Sequence, residues 1–228
     1  MMTIEGDCMN GLIYLIILAI CVLSVYFAKK LLGNLGLIIT FLSMSIVSFI
    51  LSFKYITLST INLTANSITY ITMFTSLYLL LESKEKKEVK KAVNLNFLLS
   101  IFGAIMLYIM TYHTQTLTDN ISINMKNVFL NNYRILLTYP ITILISNYIL
   151  IYTYEKIKKL YDNMFISTVT TYLLVGIIEA IMYFFLAYYS ILSTKTIIKL
   201  ILSTYMIRLI ITVIYSLFLT LITKKVKQ

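Results

Sequence analysis

Two long apolar segments near the C-terminus, residues 164–189 and 197–221, each carry one ionisable residue close to the middle. Each segment is long enough to cross a bilayer as a helix, which takes about 20 apolar residues. Glu179 lies ten residues before the end of the first segment, and Arg208 lies eleven residues after the start of the second. At about 1.5 Å of rise per residue, both lie roughly 15 Å below the same membrane surface. The sequence therefore predicts a helical hairpin with one buried charge of each sign at similar depth.

Polar and aromatic residues share a helical face with each charge, because they recur at steps of three and four. The sets are Thr168, Tyr172, Gly176, Glu179, Ala180 and Tyr183 in the first segment, and Thr204, Tyr205, Arg208, Thr212 and Tyr215 in the second. An unpaired charge at this depth is strongly unfavourable, so we expect Glu179 and Arg208 to face each other or a polar cavity. A structural salt bridge and a substrate site both fit this pattern, and the two are compatible.

The composition indicates the class of protein. The 228-residue chain is 60% hydrophobic and only 12% charged, with a mean hydropathy of +0.90. Such long apolar runs predict an all-α integral membrane protein, a bundle of six to seven transmembrane helices. One proline and six glycines leave no flexible linker, so we expect a single transmembrane domain over residues 1–228.

Further apolar segments predict the remaining spans. They are residues 12–28, 37–53, 66–81, 93–112 and 134–154. Gly33 and Gly36 mark a turn between the first two segments. The threonine-rich stretch 55–64 fits either a loop or a re-entrant piece, so the number of spans within residues 1–81 stays open.

Two polar regions allow more than one interpretation. Asn66, Tyr70 and Phe74 share a helical face that fits either close packing or the lining of a cavity. The long polar stretch 112–133 fits either a simple connection or a lid over a binding site.

The basic residues predict the orientation in the membrane. Lysines concentrate at positions 29–30, 84–91 and 156–159 and at the C-terminus. With seven spans, these connections and the C-terminus all lie on the same side of the membrane. Basic connections stay in the cytoplasm, so we expect a multi-pass protein of the cell (inner or plasma) membrane with a cytoplasmic C-terminus. Because these lysines follow the ends of apolar segments, the net charge of +10 does not indicate nucleic-acid binding.

Motifs for enzymatic chemistry are absent from the sequence. It has no phosphate-binding Gly-x-x-x-x-Gly-Lys-[Ser/Thr] loop, no Gly-x-Ser-x-Gly and no His-Glu-x-x-His. Cys8, Cys21 and His113 are too few and badly spaced for a metal site or a nucleophile–base pair. We therefore expect a conduit or binder, with no catalytic residues, no metal and no cofactor.

Four stretches share the order and spacing of a known family. The first is Tyr70-Ile-Thr-Met-Phe74, then Leu80-Leu-Glu82, then Lys86-Lys-Glu-Val-Lys-Lys-Ala-Val93. The second is Arg134 with Ser146-Asn-Tyr148 and Tyr152-x-Tyr-x-x-x-Lys158. The third and fourth are Glu179-Ala-Ile-Met-Tyr-Phe184 and Thr204-Tyr-Met-Ile-Arg208. Together they resemble the queuosine precursor transporter family, also called the vitamin uptake transporter family.

The resemblance covers about residues 33–222, which leaves residues 11–28 as an extra N-terminal helix. The family has aspartates where this chain has Tyr78 and Leu150. It has aspartate in place of Glu179 and lysine in place of Arg208. The chain therefore resembles a divergent member of the family.

The resemblance implies import of a queuosine precursor, a 7-deazaguanine-type base, by a bundle similar to the substrate-binding subunits of energy-coupling-factor transporters. It implies a substrate site that consists of Glu179 and Arg208 first, and then of Arg134, Asn147 and Tyr70. Tyr183 and Tyr205, from the polar faces described above, would stack on the base. The expected partners are the small-molecule substrate, the lipid bilayer and, in one alternative, a separate ATP-driven energising module.

Two alternatives stay open. One is a substrate-binding subunit or transporter for another vitamin-like small molecule. The other is a membrane scaffold in which Glu179 and Arg208 are only a structural pair.

Overall fold

Long apolar segments joined by short polar connections fold into a helical bundle. The computed structural model describes residues 4–58, 61–83, 86–112, 120–130 and 132–226. Its elements are α1 (Ile4–Leu51), β1 (Tyr55–Leu58), β2 (Ile61–Thr64), α2 (Ser67–Ser83), α3 (Lys86–Met110), α4 (Asn120–Met125), a π-helical turn (Lys126–Leu130), α5 (Tyr133–Leu160), α6 (Met164–Tyr188) and α7 (Thr194–Val226). Five helices in this described part of the chain, α1, α3, α5, α6 and α7, are long and apolar enough to cross a membrane. The predicted all-α bundle is confirmed.

Helix α1 is two antiparallel arms joined at Gly33. The backbone of Gly33 (φ 59°, ψ −130°) is not helical, and a glycine adopts this conformation without steric strain. The amide Nδ2 of Asn10 lies 3.1 Å from the carbonyl oxygen of Thr57, just beyond the end of the helix. A straight helix would separate residues 10 and 51 by about 60 Å. The chain therefore reverses where the sequence predicts a turn.

The segment between α1 and α2 is a re-entrant β-hairpin. Strands β1 and β2 pair antiparallel, with Tyr55 opposite Thr64. The hydroxyl of Ser203 donates to the carbonyl oxygen of Asn62 at 2.6 Å. Ser203 is nine residues into α7, or about 14 Å along its axis. The hairpin therefore enters the bundle from one end and lets α2 start near the middle.

At the opposite end of the bundle, which we call the charged end, two ion pairs join different helices. Lys86 at the start of α3 pairs with Glu155 near the end of α5. Glu82 at the end of α2 accepts a hydrogen bond from Tyr154 at 2.7 Å and pairs with Lys158 at 3.3 Å. These contacts fasten α2 and α3 to α5.

The polar stretch 112–133 contains α4 and the π-helical turn. The ring of Phe129 in that turn packs edge-on against Phe53, with centroids 5.2 Å apart, next to the hairpin. Residues 113–119 and 131 lie outside the described residues. The interpretation of this stretch as a lid stays a prediction.

Candidate substrate-binding site

Glu179 of α6 and Arg208 of α7 meet inside the bundle, as the sequence predicts. Arg208 Nη1 lies 2.8 Å from Glu179 Oε2. The exposed fractions of the two residues are 1% and 2%, so neither charge reaches the surface. Burial removes two ions from water, and their attraction compensates only when further polar contacts complete the arrangement.

Two residues from the start of α2 complete the surroundings of the Arg208 guanidinium. Asn66, between β2 and α2, accepts a hydrogen bond from Arg208 Nη2 through Oδ1 at 3.1 Å. Arg208 Cζ lies 4.0 Å from the ring centroid of Tyr70, which is a cation–π contact. A carboxylate, an amide and an aromatic face therefore hold the cation from three elements, while its Nε has no partner among the described residues.

Aromatic rings continue from this centre along α2 and α6. The Tyr70 and Phe74 rings lie 4.6 Å apart, and Phe74 meets Tyr172 at 6.4 Å. Tyr172 covers Gly176, since a Cβ added there would lie 2.7 Å from the Tyr172 Cζ atom. Glycine therefore allows the Tyr172 ring to lie flat against its own helix, one turn from Glu179.

A second group of rings comes from α1, α5 and α6. The Tyr139 ring packs 5.1 Å from Phe49 and meets Tyr183 edge-on at 6.4 Å. The Tyr139 hydroxyl donates to the carbonyl oxygen of Ser45 at 3.1 Å. Tyr183 lies one helical turn from Glu179, so this group borders the ion pair on the side of the hairpin.

Several buried polar atoms of the bundle interior have no hydrogen-bond partner among the described residues. They include the hydroxyls of Tyr78, Tyr172, Thr171, Thr204 and Ser146, and both amide atoms of Asn147. Buried polar groups in folded proteins are almost always paired. This concentration of available donors and acceptors is suited to a polar solute with several hydrogen-bonding edges.

Comparison with known proteins adds one match. The family described as "putative vitamin uptake transporter" matches residues 64–222, which is more than half of the chain. The chain belongs to the vitamin uptake transporter family. No curated protein matches it, and no solved structure does.

Membership places the candidate site in a transporter. The matched range starts at the last residue of β2 and includes α2 to α7, and thus Glu179, Arg208, Asn66 and Tyr70. Together with the helices long enough to span a membrane, it identifies a multi-pass membrane protein that takes up a small molecule. The resemblance to this family, predicted from the sequence, is confirmed. The likeness to energy-coupling-factor subunits stays a prediction.

Not every predicted site residue of this vitamin uptake transporter joins the ion pair. Tyr70 contacts Arg208 directly, and Tyr183 lies one turn away. Asn147 is fully buried on the same face of α5 as Tyr139, two turns further toward the charged end. Its place in the site stays a prediction.

Two predicted residues lie elsewhere. Arg134 is in the first turn of α5, where its Nη1 donates to the carbonyl oxygen of Tyr189 at 2.5 Å. A residue in the first turn of a spanning helix lies near the membrane surface, far from the mid-depth ion pair. Tyr205 stacks on Tyr172 with centroids 6.2 Å apart, and its hydroxyl donates to the carbonyl oxygen of Leu173. It is partly exposed at the edge of the site, although the sequence pattern places it on the same helical face as Arg208.

Asn66, Tyr139 and Tyr172 lie in or beside the candidate site but are not among the predicted binding residues. The sequence carried a signal for Asn66, which shares a helical face with Tyr70, and for Tyr172, which shares one with Glu179. Tyr139 lies in an ordinary apolar segment with no such signal. Within the described chain, no three His, Cys, Asp or Glu side chains lie close enough to hold a metal ion.

Proposed function

We propose that this vitamin uptake transporter imports a queuosine precursor, a 7-deazaguanine-type base, through a site centred on Glu179 and Arg208. The observation that carries the proposal is the buried Glu179–Arg208 pair, which Asn66 and the Tyr70 ring complete. The specific substrate rests on the sequence resemblance, because the family match by itself extends only to vitamin uptake.

The chemistry of the pair suits such a base. The amidine-like edge of a guanine has adjacent N–H donors, which a carboxylate accepts as a pair, and its carbonyl oxygen accepts from a guanidinium. When the base binds, Glu179 and Arg208 exchange part of their mutual contact for contacts with the base. Asn66 and Tyr70 keep Arg208 in place during this exchange, so neither charge is left without a partner.

The rings suit a flat ligand. Aromatic rings favour offset stacking or edge-to-face contact with other planar systems. Tyr70, Tyr172 and Tyr183 are buried and surround the pair, so a planar base between them keeps aromatic contact on its faces. The unpartnered amide of Asn147 offers its NH2 group as a donor and its carbonyl oxygen as an acceptor to a second polar edge.

Uptake in cells tests the proposed function. The chain is expressed in a bacterium that cannot make queuosine, single deazaguanine bases are supplied, and queuosine is measured in the tRNA. We expect queuosine only when this protein is present, with loss of the signal in Glu179→Gln. No queuosine, with the protein detected in the membrane, would overturn the proposed substrate and leave another vitamin-like molecule as the candidate.

A charge exchange separates a binding role of the Glu179–Arg208 pair from a purely structural one. The double variant Glu179→Arg with Arg208→Glu keeps one charge of each sign but removes the contacts of Arg208 with Asn66 and Tyr70. We expect it to insert in the membrane and lose uptake. The matched control exchanges the Lys86–Glu155 pair at the charged end, which is partly exposed, and should keep uptake. Normal uptake by the first double variant would show that the pair has a structural role and does not bind the substrate.

The energy source is tested by purification. In one alternative the chain is a substrate-binding subunit and needs a separate ATP-driven module. Copurification of an ATPase with the tagged chain, together with uptake that stops when that ATPase is deleted, would support this alternative. Uptake by the purified chain alone in vesicles would exclude the need for such a module.

A further inference from the structure

Arg134 and Tyr188 border a cavity at the hairpin end of the bundle, separate from the central ion pair. The cavity has a volume of about 290 Å³ and lies between the start of α5 and the end of α6. Asn132, Tyr133 and Ile191 also line it. Its size is close to the lower limit of small-molecule pockets, about 300 Å³.

The polar groups of this cavity can bind a ligand. Arg134 uses one Nη for the carbonyl oxygen of Tyr189, which fixes the guanidinium in position. A guanidinium has five N–H donors, so others are available to a solute. The hydroxyl of Tyr188 is buried, with 6% of the residue exposed, and lies near the hydroxyls of Tyr55 and Tyr183 without a hydrogen bond of ordinary geometry to either.

The cavity and the ion pair are too far apart to hold one small molecule together. Tyr188 is nine residues from Glu179 along α6, or about 14 Å. A continuous series of aromatic rings joins the two places. Tyr188 stacks with Phe184 at 6.0 Å, Phe184 meets Tyr183 at 5.2 Å, and Tyr183 lies one turn from Glu179.

We propose that Arg134 and Tyr188 form a second, outer binding site, which holds the substrate before it reaches Glu179 and Arg208. This inference rests on the proposed function and adds an entry step to it. The site takes a planar heterocycle with an exocyclic oxygen. The guanidinium donates to that oxygen, and the Tyr188 ring provides a stacking surface that continues inward through Phe184 and Tyr183.

Uptake kinetics test the outer site. Initial rates are measured over a concentration series of a radiolabelled 7-deazaguanine base for the wild type, Arg134→Gln and Arg134→Lys. For Arg134→Gln we expect KM to rise about tenfold, the effect of one lost charge-assisted hydrogen bond, with Vmax nearly unchanged. Arg134→Lys keeps a cationic donor and should recover part of the lost affinity.

A control variant and a stability measurement exclude other causes. Lys126→Gln removes a positive charge from the π-helical turn at the same end, outside the cavity lining, and should leave KM unchanged. If Arg134 only fastens α5 to α6 through Tyr189, Arg134→Gln lowers Vmax and the melting temperature instead of raising KM. That result, or an unchanged KM, would overturn the outer site and leave the proposed function intact. Absence of uptake by the wild type would overturn both.

Discussion

Arg208 Nη2 and Asn66 Oδ1 lie 3.1 Å apart, although 142 residues separate the two positions in the chain. The contact depends on the hairpin between α1 and α2. Because the hairpin is re-entrant, Asn66 reaches the middle of the bundle, and α2 begins at the depth of Arg208. The candidate site is therefore built from the helical hairpin of α6 and α7 together with the start of α2.

Removal of the carboxylate should destabilise the protein as well as stop uptake. Glu179→Ala leaves the Arg208 charge buried with only Asn66 and Tyr70 as partners. Loss of one member of a buried ion pair costs about 3–5 kcal/mol. We expect Glu179→Ala to lower the melting temperature of the purified protein in detergent. Glu179→Gln keeps a hydrogen-bond acceptor and should melt between Glu179→Ala and the wild type. Equal melting temperatures for Glu179→Ala and the wild type would contradict the paired arrangement.

The ring of Tyr70 should matter more than its hydroxyl for holding Arg208. Its centroid is 4.0 Å from Arg208 Cζ, and a desolvated cation–π contact contributes about 2 kcal/mol. Tyr70→Phe keeps the ring and should unfold in denaturant nearly as the wild type does. Tyr70→Leu should lose about 2 kcal/mol of unfolding free energy. If the two variants unfold alike, the cation–π contact is not stabilising.

Substitution by alanine should have opposite effects on stability at two glycines. At Gly176 an added Cβ meets the ring of Tyr172 at 2.7 Å, so the ring must leave its place between Phe74 and Tyr205. Such overpacking costs about 1–3 kcal/mol and should weaken substrate binding. At Gly103 in α3 nothing lies within 4 Å of an added Cβ, so alanine should be neutral or stabilise the helix. The melting temperature and the equilibrium binding of substrate are measured for both variants. Equal values for Gly176→Ala and Gly103→Ala would contradict this prediction.

The hydrogen bond between Thr72 and Tyr215 joins α2 to α7 about two helical turns from Arg208, on the side of the charged end. The two hydroxyl oxygens lie 2.6 Å apart and are buried. Hydrogen bonds between membrane helices contribute about 0.6 kcal/mol on average. Tyr215→Phe should therefore reduce the unfolding free energy by about that amount, measured in mixed micelles. Tyr108→Phe, which removes an exposed bond between Tyr108 of α3 and Tyr112 just past its end, is the control and should have less effect. A larger loss of unfolding free energy in Tyr108→Phe than in Tyr215→Phe would contradict a stabilising role of the Thr72–Tyr215 bond.

The charged end should face the cytoplasm. It gathers Lys86, Glu82, Glu155 and Lys158 from three helices, and basic residues favour the cytoplasmic side. A fluorescent protein fused to the C-terminus should therefore fluoresce in a bacterial host, while an alkaline phosphatase fusion at the same point should be inactive. The reverse pattern would place the C-terminus outside the cell.

Much of the helical framework follows from the sequence alone. A helix that spans the bilayer needs a long apolar segment, and the 3.6-residue period of the helix decides which residues share a face. The spans and their faces can therefore be predicted from each segment's own sequence. The similar depth of Glu179 and Arg208 follows from the lengths of their segments, and the turn at Gly33 follows from the glycine between two apolar segments. Arg134 is the second residue of its helix and therefore lies near the membrane surface. The resemblance alone had put it in the central site.

Only the tertiary structure decided which side chains meet the ion pair. The sequence left residues 55–64 open between a loop and a re-entrant piece, and the pairing of β1 with β2 is what brings Asn66 to Arg208. Tyr139 reaches the site because α5 packs against α6 and the second arm of α1. Such contacts depend on how distant elements pack together. No local pattern encodes them, whereas the length and polarity of each helix are properties of its own residues.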